Sequence, residues 1–181
     1  MKLYFIRHGQ SVANRDHIYS GQSDVLLSEQ GRAEAAELIP FFAPLRFDKV
    51  FSSDLSRAMD TQKIALPGAM PETTPLLREI DVGARTGKPW GWKPEAADDE
   101  ADTDGETQQD VKERLSRFLA GIKGKPWDTV AIFAHNGILN AMLRITLGDE
   151  TDKAGINRNC AVLVFESSGN GWIFLEDESR K

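Results

Sequence analysis

The sequence is poor in cysteine and histidine, the residues that most often build disulfides and metal sites. Cys160 is the only cysteine among 181 residues, so the chain can form no internal disulfide and no cysteine-based zinc site. There are three histidines, and none lies in a His-x-His or His-Glu-x-x-His pattern. The sequence therefore gives little support to a metal centre, and we expect no cofactor.

Long apolar runs and an excess of positive charge are also missing. No segment reaches the ~18 apolar residues of a membrane span, and the first residues lack the pattern of a signal peptide. We therefore expect a soluble cytoplasmic protein without a membrane partner. The net charge is −6 and no basic face is visible, which argues against a nucleic-acid partner. An anionic substrate is still compatible, because the charge inside a pocket decides that and the total does not.

What the sequence does contain is an alternation of strand-like and helix-like segments. Its 181 residues, 40% of them hydrophobic, suit a single domain over residues 1–181. Strands are predicted at 2–6, 48–52, 129–134 and in two segments joined by a turn at 168–171, and helices at 31–39, 55–66, 108–122 and 136–148. This order predicts a three-layer α/β/α sandwich with a mostly parallel central sheet and an antiparallel member in the closing strand pair.

Two of the predicted helices have apolar positions at helical spacing. The helix over 31–39 would be capped by Ser28 and ended by Pro40. Its predicted core-facing residues are Ala33, Ala36 and Ile39. In the helix over 108–122 the predicted apolar face consists of Val111, Leu115, Phe118, Leu119 and Ile122.

Two strands end on a histidine. His8 follows the first strand closely, and His135 follows the strand at 129–134 directly, where a helix then begins. Arg7 stands beside His8, and Arg57 lies in the first turn of the helix after the second strand. Ligands of open α/β sheets bind at the carboxyl ends of the strands. We therefore expect these four side chains to converge in one pocket.

Two arginines and two histidines in one pocket predict a phosphate site. Guanidinium groups match phosphate oxygens in a bidentate way, and a helix N-terminus after His135 would add backbone N–H donors. Phosphoryl transfer needs mainly positioning and positive charge, and an imidazole nitrogen can act as the nucleophile. Gly9 would leave room for the approach to His8. Taken singly, a histidine at a strand end is usually structural and Arg57 would be a surface or salt-bridge residue, so the prediction rests on their joint placement.

Several sequence blocks in order resemble the histidine phosphatase superfamily, the phosphoglycerate-mutase-like enzymes, over nearly the whole chain. FIRHGQSVAN is similar to the family's opening signature and SGQSDVLLSEQG to the segment that follows it. VFSSDLSRAMDT resembles the next block, LLREIDVG the acidic loop and DGETQQDVKERLSRFL the Gly-Glu-Ser/Thr helix start. VAIFAHNG matches the second histidine block in position, and NCAV a late strand. The resemblance implies a phosphoglycerate-mutase-like fold.

The resemblance also implies a role for each matching residue. His8 would attack phosphorus and become a phosphohistidine, and Glu79 would protonate the leaving oxygen and then activate water, with Asp81 a weaker candidate. By residue type alone, Glu79 could instead pair with Arg78 or Arg85. The expected catalytic residues are His8, Glu79 and His135; the expected phosphate-binding residues are Arg7, Asn14, Arg57 and Asn136; the expected substrate-binding residues are Gln22, Ser23 and Arg85.

The chain departs from the family pattern at two places. Asn136 stands where the family usually has a small residue, and its amide could donate to a phosphate or alter the pocket. GARTGKPW replaces the usual end of the acidic loop, and a lid-like insertion follows at about 88–106. It contains Trp90, Trp92 and the acidic run 95–106. The insertion is either a solvated loop with two partly packed tryptophans or a lid whose tryptophans touch the substrate.

We expect a phosphomonoesterase that hydrolyses a small phosphate ester through a phosphohistidine on His8, without metal. The alternatives are a phosphoglycerate-mutase-type phosphotransferase, which the short insertion disfavours, and a phospho-ligand-binding module with little turnover. A cysteine phosphatase is excluded, because Glu166 stands where such an enzyme needs arginine after Cys160. We expect Cys160 to be a buried strand residue and His17 a loop-packing or surface residue. No pattern indicates an oligomeric state.

Overall fold

The computed structural model describes residues 1–93, 104–148, 158–169 and 171–178. Its centre is a six-stranded sheet in the order β3-β2-β4-β1-β5-β6. The strands are β1 (Lys2–Arg7), β2 (Lys49–Ser52), β3 (Glu72–Thr73), β4 (Thr129–Ala134), β5 (Val162–Ser168) and β6 (Gly171–Asp177). The pairs β1–β4, β4–β2 and β2–β3 are parallel, whereas β5 is antiparallel to both β1 and β6. The predicted mostly parallel sheet with an antiparallel member is confirmed.

The two central strands are apolar on both faces because helices cover both sides of the sheet. β1 pairs in parallel with β4 from Lys2 opposite Thr129 to Arg7 opposite Ala134. Leu3 and Phe5 point to a core shared with the helices that follow β3 and β4, whereas Ile6 packs on the opposite face. Strands buried in this way are continuously hydrophobic, as parallel sheets in α/β proteins usually are. The three-layer α/β/α sandwich is therefore the observed architecture.

Six α-helices complete the described layers. They are α1 (Val12–Arg15), α2 (Glu29–Glu37), α3 (Ile39–Phe42), α4 (Ser56–Ala65), α5 (Gln108–Ile122) and α6 (Asn136–Leu147). The bounds of α5 and α6 agree with the prediction to within a residue, and the five predicted core positions of α5 are all buried. α6 ends at Gly148, whose φ of 88° is a conformation that favours glycine.

Helix α2 turns a different face to the core from the predicted one. Ser28 does cap it, since its side-chain oxygen accepts a hydrogen bond from the Gly31 backbone N–H. The buried residues, however, are Gly31 and Ala35, and the residues predicted to face the core are exposed: Ala33, Ala36 and Ile39. The reason is close backbone packing, because a Cβ on Gly31 would lie 2.0 Å from the Gln10 carbonyl oxygen.

Two further local predictions are wrong. Pro40 was predicted to end a helix, but it lies in the first turn of α3. A backbone N–H at that position has no intrahelical acceptor, so a proline, which has no N–H, is well suited to the beginning of a helix. Cys160 is buried, but in the turn before β5, with a left-handed φ of 54°. Four short elements were not predicted: β3, α1 and the two 3-10 turns at Pro75–Leu77 and Gly83–Arg85.

Most of the acidic run at 95–106 lies outside the described residues, and so does Asn170 of the predicted turn. Asp104–Glu106 are described and lie against the 81–84 segment, with the Glu106 N–H donating to the Asp81 carbonyl. Among the helices of the described ranges, none combines the length and apolar character needed to cross a membrane.

Candidate active site

The two histidines meet at the carboxyl edge of the sheet. His8 follows β1 and His135 follows β4, and these strands are paired in parallel up to Arg7 and Ala134. The His8 N–H continues the ladder by donating to the Ala134 carbonyl at 3.0 Å. The two imidazole centroids are 5.1 Å apart, and both rings are buried. The prediction that these two side chains lie close together is confirmed.

The imidazole of His8 is held in one tautomer. Its Nδ1 lies 2.7 Å from the Gly9 carbonyl oxygen. Because a carbonyl oxygen only accepts, Nδ1 carries the proton and Nε2 keeps its lone pair. Burial, together with the charges of Arg57 and Arg7, holds the pKa of His8 well below its usual value of 6.5. His8 is therefore a neutral imidazole near neutral pH, the form that can act as a nucleophile.

The turn that carries His8 is fixed from two sides. The Gly9 N–H donates to the Thr61 hydroxyl at 3.0 Å, and that hydroxyl donates to the Arg57 carbonyl at 2.7 Å. On the other side, a Cβ on Gly9 would lie 2.3 Å from the Gly31 carbonyl oxygen. The space that Gly9 leaves is thus filled by the backbone of α2. The prediction that Gly9 leaves room for the approach to His8 is therefore wrong.

The two arginines bring buried donors to this edge. Arg57 is 1% exposed and Arg7 8%. Arg57 donates from Nη1 to the Ser23 carbonyl at 2.8 Å and from Nη2 to the Gly21 carbonyl at 2.7 Å, which fixes its guanidinium plane. Within the described ranges, Nε of Arg57 and both Nε and Nη1 of Arg7 are buried without a hydrogen-bond partner. Arg57 is thus a buried residue of the site and not a surface residue.

Burial lowers the pKa of both guanidinium groups, and the Glu79 carboxylate opposes that shift. Buried donors are almost always hydrogen-bonded in native proteins, so a cluster of unpartnered guanidinium N–H groups points to a missing acceptor. An anionic oxygen group such as phosphate fits this geometry and charge.

His135 and Asn136 lie on the same edge with unsatisfied atoms. Both ring nitrogens of His135 and the Oδ1 of Asn136 are buried, and the described part of the chain offers them no partner. Burial, followed by the charges of Arg57, His8 and Arg7, holds the pKa of His135 well below 6.5. Asn136 opens α6, so the backbone N–H groups of that helix terminus face the same edge.

Glu79 is tied to the start of α6. Its Oε1 accepts hydrogen bonds from the Gly137 and Ile80 N–H groups, each at 2.9 Å. A Cβ on Gly137 would lie 2.3 Å from that oxygen, so the contact needs glycine. Arg78 pairs with Asp54 at 2.6 and 2.8 Å, in place of the alternative pairing with Glu79. The structure therefore sets Glu79 beside the helix that begins next to His135.

Asp81, the weaker candidate for the acid, has a turn-forming role: its Oδ1 accepts from the Gly83 N–H at 2.9 Å. Asn14 belongs to the cap of α1, where its Oδ1 accepts from the Ser11 N–H at 3.2 Å. That contact leaves the amide nitrogen of Asn14 as the group that could donate to a phosphate.

The three predicted substrate-binding residues are placed differently from one another. Gln22 donates from its side chain to Glu106 at 3.4 Å. Ser23 is exposed and reaches the cluster through its backbone carbonyl, which accepts from Arg57. Arg85 is exposed on a 3-10 turn. Their side chains therefore do not join the buried cluster of arginines and histidines.

The beginning of the lid-like insertion packs on the loop after α1. The Tyr19 N–H donates to the Lys88 carbonyl at 2.9 Å, and the Trp90 N–H to the His17 carbonyl at 2.8 Å. The rings of His17 and Trp90 are 4.8 Å apart, so His17 is a loop-packing residue as predicted. Trp90 is 49% exposed, and Lys88 lies over the Trp92 ring at 5.2 Å.

Three features of the site escaped the sequence analysis: Thr61, Gly137 and the pair Arg114–Glu106. Thr61 is one helical turn after Arg57 on α4, a spacing that could have indicated it. Arg114 lies among the core-facing residues of α5, and a charged residue at a core spacing is a usable signal. The role of Gly137 depends on the position of Glu79, a contact distant in sequence. Among the described residues, no group of three or more His, Cys, Asp or Glu could hold a metal ion.

Comparison with known proteins gives consistent results. A family model described as "Histidine phosphatase superfamily (branch 1)" matches residues 3–178. The chain is 25% identical over 189 residues to a probable phosphoglycerate mutase of Cronobacter sakazakii, covering 96% of this chain and 88% of that protein. It is 27% identical over 167 residues to an adenosylcobalamin/alpha-ribazole phosphatase of Escherichia coli, covering 82% of this chain and 80% of that protein. The crystal structure of a phosphoglycerate mutase from Thermus thermophilus superposes with a TM-score of 0.76 at 29% identity, covering 98% of both chains.

Proposed function

Because the chain belongs to the histidine phosphatase superfamily, we propose that it is a phosphomonoesterase that hydrolyses a small phosphate ester through a phosphohistidine on His8. One observation carries the proposal: Arg7 and Arg57 have unpartnered, buried guanidinium N–H groups, their charges act on His8, and His8 is a neutral imidazole whose Nε2 lone pair is available. This arrangement combines a nucleophile with donors for the equatorial oxygens of a transferring phosphoryl group.

In the proposed first step, the Nε2 of His8 attacks phosphorus and the bond from phosphorus to the ester oxygen breaks. Arg7, Arg57 and His135 bind the non-bridging oxygens, and the Asn14 amide assists them. The side-chain amide N–H of Asn136, at the start of α6, donates a further hydrogen bond to one of these oxygens. Glu79 gives its proton to the leaving oxygen, so an alcohol departs. The support for Glu79 in this role is its attachment to the helix that begins beside His135.

In the proposed second step, Glu79, now a carboxylate, takes a proton from water as the water oxygen attacks phosphorus. The bond between His8 and phosphorus breaks, inorganic phosphate forms, and the imidazole returns to its neutral state. The two arginines supply the positive charge throughout, and the mechanism uses no metal or cofactor. The partner is a small-molecule phosphate ester, whose organic part Gln22, Ser23 and Arg85 would contact at the rim.

The test is hydrolysis of 4-nitrophenyl phosphate in excess EDTA by the wild type, His8→Ala and His17→Ala. We expect metal-free activity in the wild type, and a loss of roughly three orders of magnitude or more in His8→Ala. His17→Ala is the matched control, since His17 is an exposed histidine outside the cluster, and it should retain activity. Acid quenching after reaction with a ³²P-labelled ester should leave acid-labile label on His8. Activity abolished by EDTA, or a fully active His8→Ala, would contradict the proposal.

A mutase is the second candidate, because the relative from Cronobacter sakazakii, which covers most of this chain, is named a probable phosphoglycerate mutase. A mutase transfers the phosphoryl group from His8 to a hydroxyl group of a bound molecule, and it must protect the phosphohistidine from water until then. The two functions are separated by incubating the phosphorylated protein with 3-phosphoglycerate. Release of inorganic phosphate alone supports the phosphatase, whereas formation of a 2-phosphorylated glycerate supports the mutase.

A further inference from the structure

We propose that Arg114 is a positioning residue for Glu79, acting with Glu106 to hold the loop on which Glu79 lies. The proposal rests on the proposed function, because it assigns Glu79 the role of general acid. It extends that function to a helix, α5, from which the sequence analysis assigned no residue to the site. The argument comes from the hydrogen bonds of a single buried guanidinium group.

Arg114 is a charged residue in a core position. It lies on the buried face of α5 and is 7% exposed. A guanidinium group has five N–H donors in a fixed fork, and here each of them has an acceptor. Two bind the Glu106 carboxylate, at 2.8 Å to Oε1 and 2.7 Å to Oε2. The other three reach the backbone carbonyls of Leu76 at 2.9 Å, Arg78 at 2.8 Å and Glu79 at 3.4 Å.

These carbonyls belong to the segment that carries Glu79. The segment runs from the 3-10 turn at Pro75–Leu77 to Glu79, and in the described part of the chain it belongs to no strand and pairs with none. Arg114 thus supplies the backbone contacts that a sheet would otherwise provide. The Glu79 side chain is held separately, because its Oε1 accepts a hydrogen bond from the Gly137 N–H. Its carboxylate position therefore depends on both contacts together.

Glu106 extends the same support to the far side of the loop. Its Oε2 also accepts from the Asp81 N–H at 2.9 Å and from the Gln22 side chain at 3.4 Å. Burial tends to raise the pKa of Glu106, but the hydrogen bonds from Arg114 and from the Asp81 N–H outweigh that effect and lower it. Glu106 therefore remains a carboxylate, which keeps Arg114 paired and in place.

The test uses the dependence of the rate on the leaving group. General acid catalysis matters for an ester of an ordinary alcohol and matters little for 4-nitrophenyl phosphate, whose phenolate leaves without a proton. The parameter is kcat/KM, because it reports phosphoryl transfer to His8 and is independent of the later hydrolysis. Arg114→Lys keeps the charge but cannot reach five acceptors. We expect it to lower kcat/KM about tenfold or more for an alkyl phosphate and less than about threefold for 4-nitrophenyl phosphate.

Three further variants make the result decisive. Glu79→Gln should show the same selective loss to a larger degree, and Arg114→Lys added to it should cause no further selective loss. Phe118→Leu, a buried change elsewhere on α5, should weaken the helix and leave the ratio of the two esters unchanged. Glu106→Gln removes an acceptor from Arg114 and should repeat the selective loss. If thermal unfolding shows that Arg114→Lys is not folded, the result with Glu106→Gln decides the question.

Equal losses on both esters, or no loss on either, would overturn the positioning role while leaving the proposed function standing. A wild-type protein that hydrolyses neither ester and forms no phosphohistidine would instead overturn the proposed function, and the assignment of Arg114 with it. The wild-type measurement therefore separates the two failures before any variant is compared.

Discussion

Two glycines near His8 are required by the backbone atoms that lie against them, and a third meets the side chain of Glu79. A Cβ on Gly9 or Gly31 would lie 2.3 or 2.0 Å from a backbone carbonyl oxygen, so these two residues let the His8 turn and α2 approach each other. Gly137 differs, because the atom at 2.3 Å is the Oε1 of Glu79, the proposed general acid. The first two serve the fold that carries His8, whereas the third makes room for the carboxylate of Glu79.

Gly137→Ala should displace the Glu79 carboxylate while the fold persists. The added methyl group cannot share space with Oε1, and a misplacement of about 1 Å in a catalytic group can lower a rate roughly a hundredfold. We expect kcat/KM for an alkyl phosphate to fall roughly ten- to a hundredfold. Gly121→Ala is the matched control, since Gly121 is in α5 and a Cβ there meets nothing within 4 Å. That variant should keep full activity and gain up to ~1 kcal/mol of stability. Unchanged activity in Gly137→Ala would show that Glu79 does not depend on this contact.

At the scale of elements, patterns that are strong over a long segment predicted the structure well. α5 was placed correctly because its apolar residues recur at helical spacing over fifteen positions. β4 was placed correctly because TVAIFA is a continuous apolar run between polar flanks. β3 was missed because it has two exposed residues, and its pairing with β2 depends on a neighbour distant in sequence.

In the candidate site, too, the residues next to strongly patterned segments could be predicted, and contacts between residues distant in sequence could not. His8 and His135 could be placed because each directly follows a recognisable strand, and strand ends meet at one edge of a parallel sheet. The positions of Thr61 and Arg114 carried a usable signal. Their contacts with Gly9 and with the 76–79 segment, and the contact of Gly137 with Glu79, could not be placed, because each joins residues far apart in sequence. The rim residues Gln22, Ser23 and Arg85 came from the resemblance, and the structure places their side chains outside the buried cluster.

Helix α2 offers a direct test of which face is buried. Ala35 is fully buried, whereas Ala36 beside it is exposed, although Ala36 was the residue expected to face the core. Ala35→Leu inserts three carbon atoms into a packed region and should lower the free energy of unfolding by about 1–3 kcal/mol. Ala36→Leu should change it by less than about 0.5 kcal/mol. Urea unfolding of both variants measures the difference, and the reverse order would restore the face predicted from the sequence.

At the scale of the whole molecule, the site should make stability depend on pH. The pKa of both His8 and His135 is held well below 6.5 in the folded protein, first of all by burial. The unfolded chain therefore binds more protons than the folded one once the pH falls below about 6.5. The free energy of unfolding should be unaffected by these groups above that pH. It should decrease below it, by at most about 1.4 kcal/mol per pH unit for each histidine.

The pH range in which the histidines change the free energy of unfolding differs from the range in which the carboxylates do. The pKa of Glu106 is lowered from 4.5 on folding, so its contribution is lost only at lower pH. Denaturant unfolding between about pH 5 and 7, in a buffer without phosphate, isolates the histidines. His135→Gln should reduce the slope in that range. A slope equal to that of the wild type would show that His135 does not differ in proton binding between the folded and unfolded states.

The buried arginines imply that the site is unfavourable to stability until an anion binds. Arg7 is 8% exposed and keeps two buried N–H positions without a partner in the described chain, so its desolvation is incompletely offset. Inorganic phosphate, which binds only the folded site, should stabilise the wild type by about 2.7 kcal/mol at a concentration of a hundred times Kd.

Arg7→Met keeps much of the side-chain volume and removes the buried charge. Without phosphate it should be at least as stable as the wild type, and it should lose most of the stabilisation by phosphate. The measurement is thermal unfolding of both proteins with increasing phosphate, and with matched sodium sulfate and sodium chloride to separate anion binding from general salt effects. A variant destabilised by several kcal/mol without phosphate would mean that Arg7 supports the fold itself. The cluster at the sheet edge would then be a structural feature as well as a binding site.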